Sequence, residues 1–274
     1  MKKSEKEELL KFALDTAKKA GDLLLKYSAE LHKRPIKIVD KGSWGLASVA
    51  DIEAEKLVIK KIKKKYPKQH IISEESHFAD GMKDLDHLEN TWLIDPLDGT
   101  NNFLSRLPIY AVSIAYFLEG RVQVGVVYNP INQEFFWATR GGGAYISRKI
   151  GSTKITQKID RITRAKSIKE GLISTKLGSK RHNAELIRKF PEVRAFRRLG
   201  SAALELSYVA AGVLDAYWEY RLQPWDVAAA GLICEEAGVK VTDLSGREFS
   251  PLYSSIVAAR EPLYSELFDI LSPR

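Results

Sequence analysis

One stretch, W-L-I-D-P-L-D-G-T-N-N-F from Trp92 to Phe103, limits what this chain can become more than any other. Trp92, Leu93 and Ile94 read as a buried strand that Asp95 and Pro96 bring to an end. Asp98 follows, then Gly99, Thr100 and two asparagines. Two carboxylates leaving one strand end can converge on a single point, and oxygen ligands of this kind suit hard divalent cations such as Mg2+. Gly99 lets the backbone approach a ligand closely. Thr100 can cap a following helix whose first N–H groups would face an anion. Asp-Pro and Asp-Gly are also ordinary turn dipeptides; it is the whole string, placed after a hydrophobic strand, that favours a ligand site.

A second strand end carries the same chemistry. His70-Ile71-Ile72 reads as a short buried strand followed by Ser73-Glu74-Glu75-Ser76. Ligands of open sheets lie beyond strand ends, so two consecutive strands ending in acids point to one site. Two further acids open helices. Asp51 starts one that carries Ala54, Leu57, Val58 and Ile62 on one face, and Asp226 starts a long apolar one after Pro224-Trp225. Each alone reads equally as a first-turn acid complementing the helix dipole.

The remaining pattern gives the architecture. Glu5–Tyr27 has helical spacing and Ile36–Val39 alternates as a strand, followed by a loop over 41–45. The polar stretch 78–90 reads as a surface loop. Ala111–Leu118 and Arg121–Tyr128 form a hairpin at Glu119-Gly120, and Glu134–Ala138 adds a third strand. Gly141-Gly142-Gly143 lacks the spacing of a phosphate-binding Walker loop and reads as a turn between antiparallel strands. From Lys166 strands at 172–174, 195–199, 214–218, 239–242 and 255–259 alternate with helices at 184–190, 202–211, 225–237 and 263–271. The expectation is a layered α/β (α+β) fold in a single domain over 1–274, an antiparallel half to about 150 and a mixed half from 151.

Charge and composition exclude other classes. The net charge of +8 is spread along the chain, and its densest run, 60–65, reads as the solvated end of a helix. No RNP, zinc-finger or helix-turn-helix pattern accompanies it, so nucleic acid is not expected as the main partner. No run approaches the roughly 20 apolar residues of a membrane span, and M-K-K-S-E-K-E-E leads into no signal-peptide core; a cytoplasmic location is expected. Cys234 stands alone and reads as a small core residue rather than a nucleophile. The five histidines match no metal-ligand spacing.

Taken in order, Asp51, Ser73-Glu74-Glu75, D-P-L-D-G-T-N-N-F and P-W-D-V-A-A-A-G resemble the inositol monophosphatase family of Mg2+-dependent, lithium-sensitive phosphatases, over nearly the whole chain. The resemblance implies a layered α-β-α-β-α sandwich assembled as a homodimer, with two to three Mg2+ per active site. It implies that Glu74, Asp95 and the Leu97 carbonyl hold one metal and that Asp95, Asp98 and Asp226 hold a second. A third, weaker ion would sit near Glu74. Gly99 and Thr100 would donate backbone N–H groups to the phosphate, and Asp51 with the Thr100 hydroxyl would orient and deprotonate a water. Gly200, Ser201, Ala202 and Glu219 would meet the alcohol part of the substrate. Asn101 and Ser73 stand where the family commonly has Thr and Gly, and Lys41 lies one position away from a usual lysine; none of these is a ligand. A-Y-W-E at 216–219 resembles the A-Y-Y-E of inositol monophosphatases, which implies hydrolysis of myo-inositol 1-phosphate. Fructose 1,6-bisphosphate is the nearest alternative, and a non-catalytic RNA- or protein-binding member of the fold is the alternative of another class.

Overall fold

The computed structural model describes residues 1–33, 35–40, 46–79, 89–159, 165–176, 190 and 192–272. Residues 184–189 of the helix expected at 184–190, the loop at 41–45 and most of the loop at 78–90 lie outside the described residues.

A seven-stranded sheet forms the first half: β3 (His70–Ser73), β4 (Thr91–Asp98), β5 (Ala111–Leu118), β6 (Arg121–Asn129), β7 (Glu134–Thr139), β8 (Gly143–Ile150) and β9 (Thr153–Lys158), in that spatial order. Two short strands, β1 (Ile38–Asp40) and β2 (Leu46–Ser48), pair separately. All neighbours in the large sheet are antiparallel except β3 and β4, which are parallel. The expectation of an antiparallel half holds for six strands and fails at that edge. The fully exposed edge strand β9 was not expected, because it offers no apolar face to signal a strand.

Two helices cover the outer face of this sheet. α1 (Lys3–Leu31) buries Leu9, Ala13, Ala17, Ala20 and Leu24, a stripe at helical spacing. α2 (Val49–Lys65) buries Ala50, Ala54, Val58 and Ile62 and ends in Lys63, Lys64 and Lys65, where cations complement the dipole. Their stripes pack on Trp92, Ile94, Val112, Ile114, Val124 and Val126. The short helices α3 (Glu74–Ala79) and α4 (Thr100–Leu104) follow β3 and β4 directly.

The inner face carries a second helical layer, α5 (Ala202–Ala210) and α6 (Pro224–Glu236). α6 is apolar around its circumference because a sheet lies on each side of it: Val227, Ala228, Ala229, Leu232, Ile233 and Cys234 are all buried. Gly125 on β6 permits the close approach, since a Cβ there would stand 2.6 Å from the Ala229 carbonyl oxygen. One continuous core joins Leu93, Ala115 and Val127 of the first sheet to Tyr217, Ile256 and Ala258 of a second.

That second sheet has five strands in the order β11 (Ala195–Arg197), β10 (Leu172–Thr175), β12 (Ala216–Tyr220), β14 (Ser255–Ala259) and β13 (Lys240–Thr242). β10 runs parallel to both β11 and β12, and the other pairings are antiparallel. α7 (Leu263–Leu271) closes the outside on Ala216, Trp218, Val257 and Ala259. The layers are therefore α-β-α-β-α, as expected.

Candidate active site

Pro96 does not end its strand, contrary to the sequence reading: β4 continues to Asp98. Pairing with β3 stops at Ser73 and Ile94, so the missing proline N–H breaks no ladder bond on that side. On the other side the ladder skips from Asp95–Ser113 to Asp98–Ala111, a bulge. Within it Asp95 Oδ1 accepts the Leu97 N–H at 2.9 Å. The bulge turns Asp95 and Asp98 out of strict alternation toward one end of the sheet. Gly99 follows at φ 104°, with Ile109 O only 3.0 Å from where a Cβ would lie, so glycine meets both the backbone angle and the space. α4 then starts at Thr100.

Asp51 joins this loop from α2. Its Oδ1 accepts the Thr100 hydroxyl at 2.8 Å. Its Oδ2 accepts the Ser48 N–H at 2.7 Å and the Ser48 hydroxyl at 2.5 Å, a capping box that fixes the carboxylate. Both readings of Asp51, helix cap and partner of Thr100, hold together. The Thr100 hydroxyl also lies 3.2 Å from Leu97 O; it has one proton, which the shorter contact takes. Burial raises the pKa of Asp51, against the pull of Ser48 and Thr100.

Asp98 is where the two halves meet. Its Oδ2 accepts the Ser201 hydroxyl at 2.6 Å and the Ala203 N–H at 2.8 Å, capping α5 from a distant strand. Ser201 is buried and gives its hydroxyl to Asp98, so as the side chains stand it positions an acid rather than facing an alcohol. Gly200 (φ 80°) and Ala202 flank it, and Asn102 Nδ2 ties the same loop down by donating to Leu199 O at 2.6 Å. Asp226 occupies the third position of α6 and accepts the Gln223 N–H at 2.8 Å. Glu74 opens α3, which Glu55 of α2 anchors by accepting the Glu75 N–H at 2.9 Å.

These acids share one field. Asp95 is pushed well above the usual carboxylate range by burial first, then by Glu74, Asp98 and Asp226. Asp226 is raised well above it by burial and by Glu74, Asp98 and Glu219, against the Gln223 N–H. Asp98 rises to about 7, chiefly through burial, although Ser201 and Ala203 pull it down. Among the described residues no group of three or more acid, histidine or cysteine side chains stands placed to hold a metal ion; Asp51, Asp95, Asp98 and Asp226 are each turned to a neighbouring N–H or O–H. Like charges in a poorly solvated space favour that arrangement, and a divalent cation would reverse the cost of ionising them. The donor set, all carboxylate and carbonyl oxygen, fits Mg2+.

Glu219 lies inside β12 rather than at its end. It accepts the Tyr217 hydroxyl, and Lys176 Nζ lies 3.0 Å from its Oε1. Ser48, Glu55, Lys176 and Tyr217 were not singled out from the sequence. Ser48 was legible as the start of an S-x-x-D capping pattern. Lys176 was not, because it reaches Glu219 only through the β10–β12 pairing. Cys234 is buried as expected, its thiol pushed up to about 12 by burial.

Residues 5–271 match the inositol monophosphatase family. "Nus factor SuhB" of Escherichia coli K12 is 39% identical over 260 residues, covering 91% of this chain and 90% of that protein. "Inositol-1-monophosphatase" of Mesorhizobium japonicum is 35% identical over 263 residues, covering 94% of each. The crystal structure of the extragenic suppressor protein suhB from Bartonella henselae superposes with a TM-score of 0.82 at 33% identity, covering 96% of this chain and 98% of that one.

Proposed function

The chain belongs to the inositol monophosphatase family, and on that premise we propose that it is a Mg2+-dependent phosphate monoester hydrolase whose substrate is myo-inositol 1-phosphate. The observation that carries the reading is the Asp51–Thr100 hydrogen bond at 2.8 Å beside the buried acids Asp95 and Asp98 and the half-buried Asp226.

Glu74, Asp95 and the Leu97 carbonyl would hold one cation, and Asp95, Asp98 and Asp226 a second. Bound there, Mg2+ would neutralise the ester oxygens, acidify a water and stabilise the departing alkoxide. The chain's own residues do the rest. Thr100 gives its proton to Asp51, which leaves the threonine oxygen able to accept one from an attacking water. The Ser48 capping box holds Asp51 at the angle this relay needs. The N–H groups of Gly99 and Thr100 open a helix and suit a phosphate oxygen. Glu219, fixed by Tyr217 and Lys176, accepts hydrogen bonds from ring hydroxyls of a polyol. Residues 1–274 act as one catalytic unit, assembled as a homodimer in the cytoplasm. No helix among the described residues is long and apolar enough to cross a membrane.

One acid at the alcohol side does not separate two polyols, so fructose 1,6-bisphosphate is the rival substrate. Phosphate release from a panel of these esters, with and without Mg2+, tests the proposal. Preference for myo-inositol 1-phosphate supports it, and equal turnover of all reduces the protein to a general sugar phosphatase. The name Nus factor, borne by the Escherichia coli relative, motivates a non-catalytic alternative. An Asp95→Asn variant without turnover that still performed the cellular role would establish that alternative.

A further inference from the structure

Glu205 is a buried acid with no part in the hydrolysis described above. It lies in the first turn of α5 with 2% of its surface exposed. Among the described residues no ion pair joins it to a cation. A buried carboxylate without a counter-ion is costly, and such groups gather at functional sites. Two donors from other segments meet its Oε1 instead: the Leu199 N–H at 2.9 Å and the Ser174 hydroxyl. Burial raises its pKa, against the pull of both donors.

Each donor leads to a different side of the site. Leu199 opens the loop before α5, and Asn102 of α4 holds the same residue by donating to its carbonyl at 2.6 Å. Two residues on, Ser201 gives its hydroxyl to Asp98 at 2.6 Å. Ser174 lies on β10 opposite Tyr217 of β12, on the inner face of the second sheet. Its hydroxyl has one proton, and the Arg197 carbonyl is more distant at 3.1 Å, so the proton goes to Glu205. Tyr217 donates to Glu219, and Lys176, two residues past Ser174, lies 3.0 Å from Glu219. The charge of Glu205 is felt on both sides. Asp98 and Tyr217, each raised first by burial, are raised further by Glu205.

One carboxylate oxygen therefore ties the loop that reaches Asp98 to the strands that carry Lys176 and Glu219. A phosphate ester bound here spans the same two places, its phosphate at the acid cluster and its ring hydroxyls at Glu219. The spacing between them decides which alcohols are held in line for attack. On the phosphatase reading above, we propose that Glu205 is a positioning residue that sets specificity. It fixes the distance from the Asp98 loop to the Glu219 strand and so favours ring polyol phosphates over esters whose alcohol has no hydroxyl for Glu219. Its own oxygen is taken by Leu199 and Ser174, so it acts through them and not on the substrate.

Steady-state kinetics of the full-length protein on ring polyol phosphates and 4-nitrophenyl phosphate, across a Mg2+ titration, tests this. The quantity read is kcat/KM for the preferred polyol ester divided by kcat/KM for 4-nitrophenyl phosphate. Glu205→Ala removes the shared oxygen and lowers this ratio about tenfold, through KM for the polyol ester. Its kcat on 4-nitrophenyl phosphate and its Mg2+ concentration for half-maximal rate stay close to those of the wild type. Glu205→Gln keeps an acceptor oxygen and restores most of the ratio, and Ser174→Ala, which cuts one link, falls between. An unchanged ratio in Glu205→Ala overturns the proposal. Equal losses on both esters overturn it in favour of a structural role, and a sharply raised Mg2+ requirement in favour of a role at the cations. A wild type with no preference for any ring polyol ester overturns it too. A wild type that prefers a ring polyol ester other than myo-inositol 1-phosphate refutes the substrate named above, and a fall of that ester's ratio in Glu205→Ala still supports the role of Glu205. If Glu205→Ala does not fold, Ser174→Ala decides: a lowered ratio supports the proposal and an unchanged one overturns it.

Discussion

The Thr100 hydroxyl donates to Asp51 at 2.8 Å, joining the loop after β4 to the first turn of α2 across 49 residues of chain. Asp51 is held from the opposite side by Ser48, so the pair is fixed before any substrate arrives. If Thr100 passes a proton from water to Asp51, Thr100→Ala lowers kcat by about 10²-fold while the Mg2+ concentration for half-maximal rate stays nearly constant. Thr100→Ser restores most of the rate. Steady-state kinetics across a Mg2+ titration checks this; a large change in Mg2+ requirement with little change in kcat makes Thr100 structural.

Asp98 supplies a pH dependence. Its folded pKa of about 7 lies above the ordinary carboxylate value, because burial disfavours the charge. The folded state thus holds a proton that the unfolded state releases. The resulting stability is full below the unfolded pKa and is lost as pH rises through about 7. Protein stripped with EDTA should melt at a lower temperature at pH 8 than at pH 5. Added Mg2+ should raise the melting temperature more at pH 8, where the acids are ready to ionise. Calorimetry at the two pH values measures both effects, and a Mg2+ shift that is larger at pH 5 contradicts the assignment.

Packing of α6 on β6 holds Asp226 in reach of the other acids. Gly125→Ala places a methyl 2.6 Å from the Ala229 carbonyl oxygen, in backbone that has little room to move. The expected loss is about 1–3 kcal/mol by urea unfolding. A neutral result means that the helix and sheet are less tightly packed than described.

Glu219 and Lys176 separate binding of the alcohol from chemistry. Glu219→Gln should raise KM for myo-inositol 1-phosphate about tenfold, the value of one or two hydrogen bonds at about 1 kcal/mol each, with a smaller effect on kcat. Lys176→Met, which frees Glu219 to swing, should act in the same direction. Neither should alter hydrolysis of 4-nitrophenyl phosphate, which has no ring hydroxyl. A parallel loss on both substrates assigns Glu219 to the reaction itself.

Much of this arrangement was legible in the linear chain. The period of α1 and α2, the Glu119-Gly120 hairpin and the bounds of β14 and α7 follow from local patterns. The acids at 51, 74, 95, 98 and 226 were visible because strand ends and helix starts announce them. What was hidden depends on pairing. Pro96 seemed to end β4, because only the register with β3 shows that its missing N–H is harmless. Lys176 meets Glu219 through neighbouring strands.

The central claim is that acids from three separate segments make one cation pocket. Anomalous diffraction from crystals of this protein soaked in Mn2+, a substitute for Mg2+, tests it most directly. The account predicts strong peaks bounded by Glu74, Asp95, Asp98 and Asp226, and loss of those peaks in Asp95→Asn. Peaks elsewhere, or none among these four side chains at millimolar Mn2+, would contradict it.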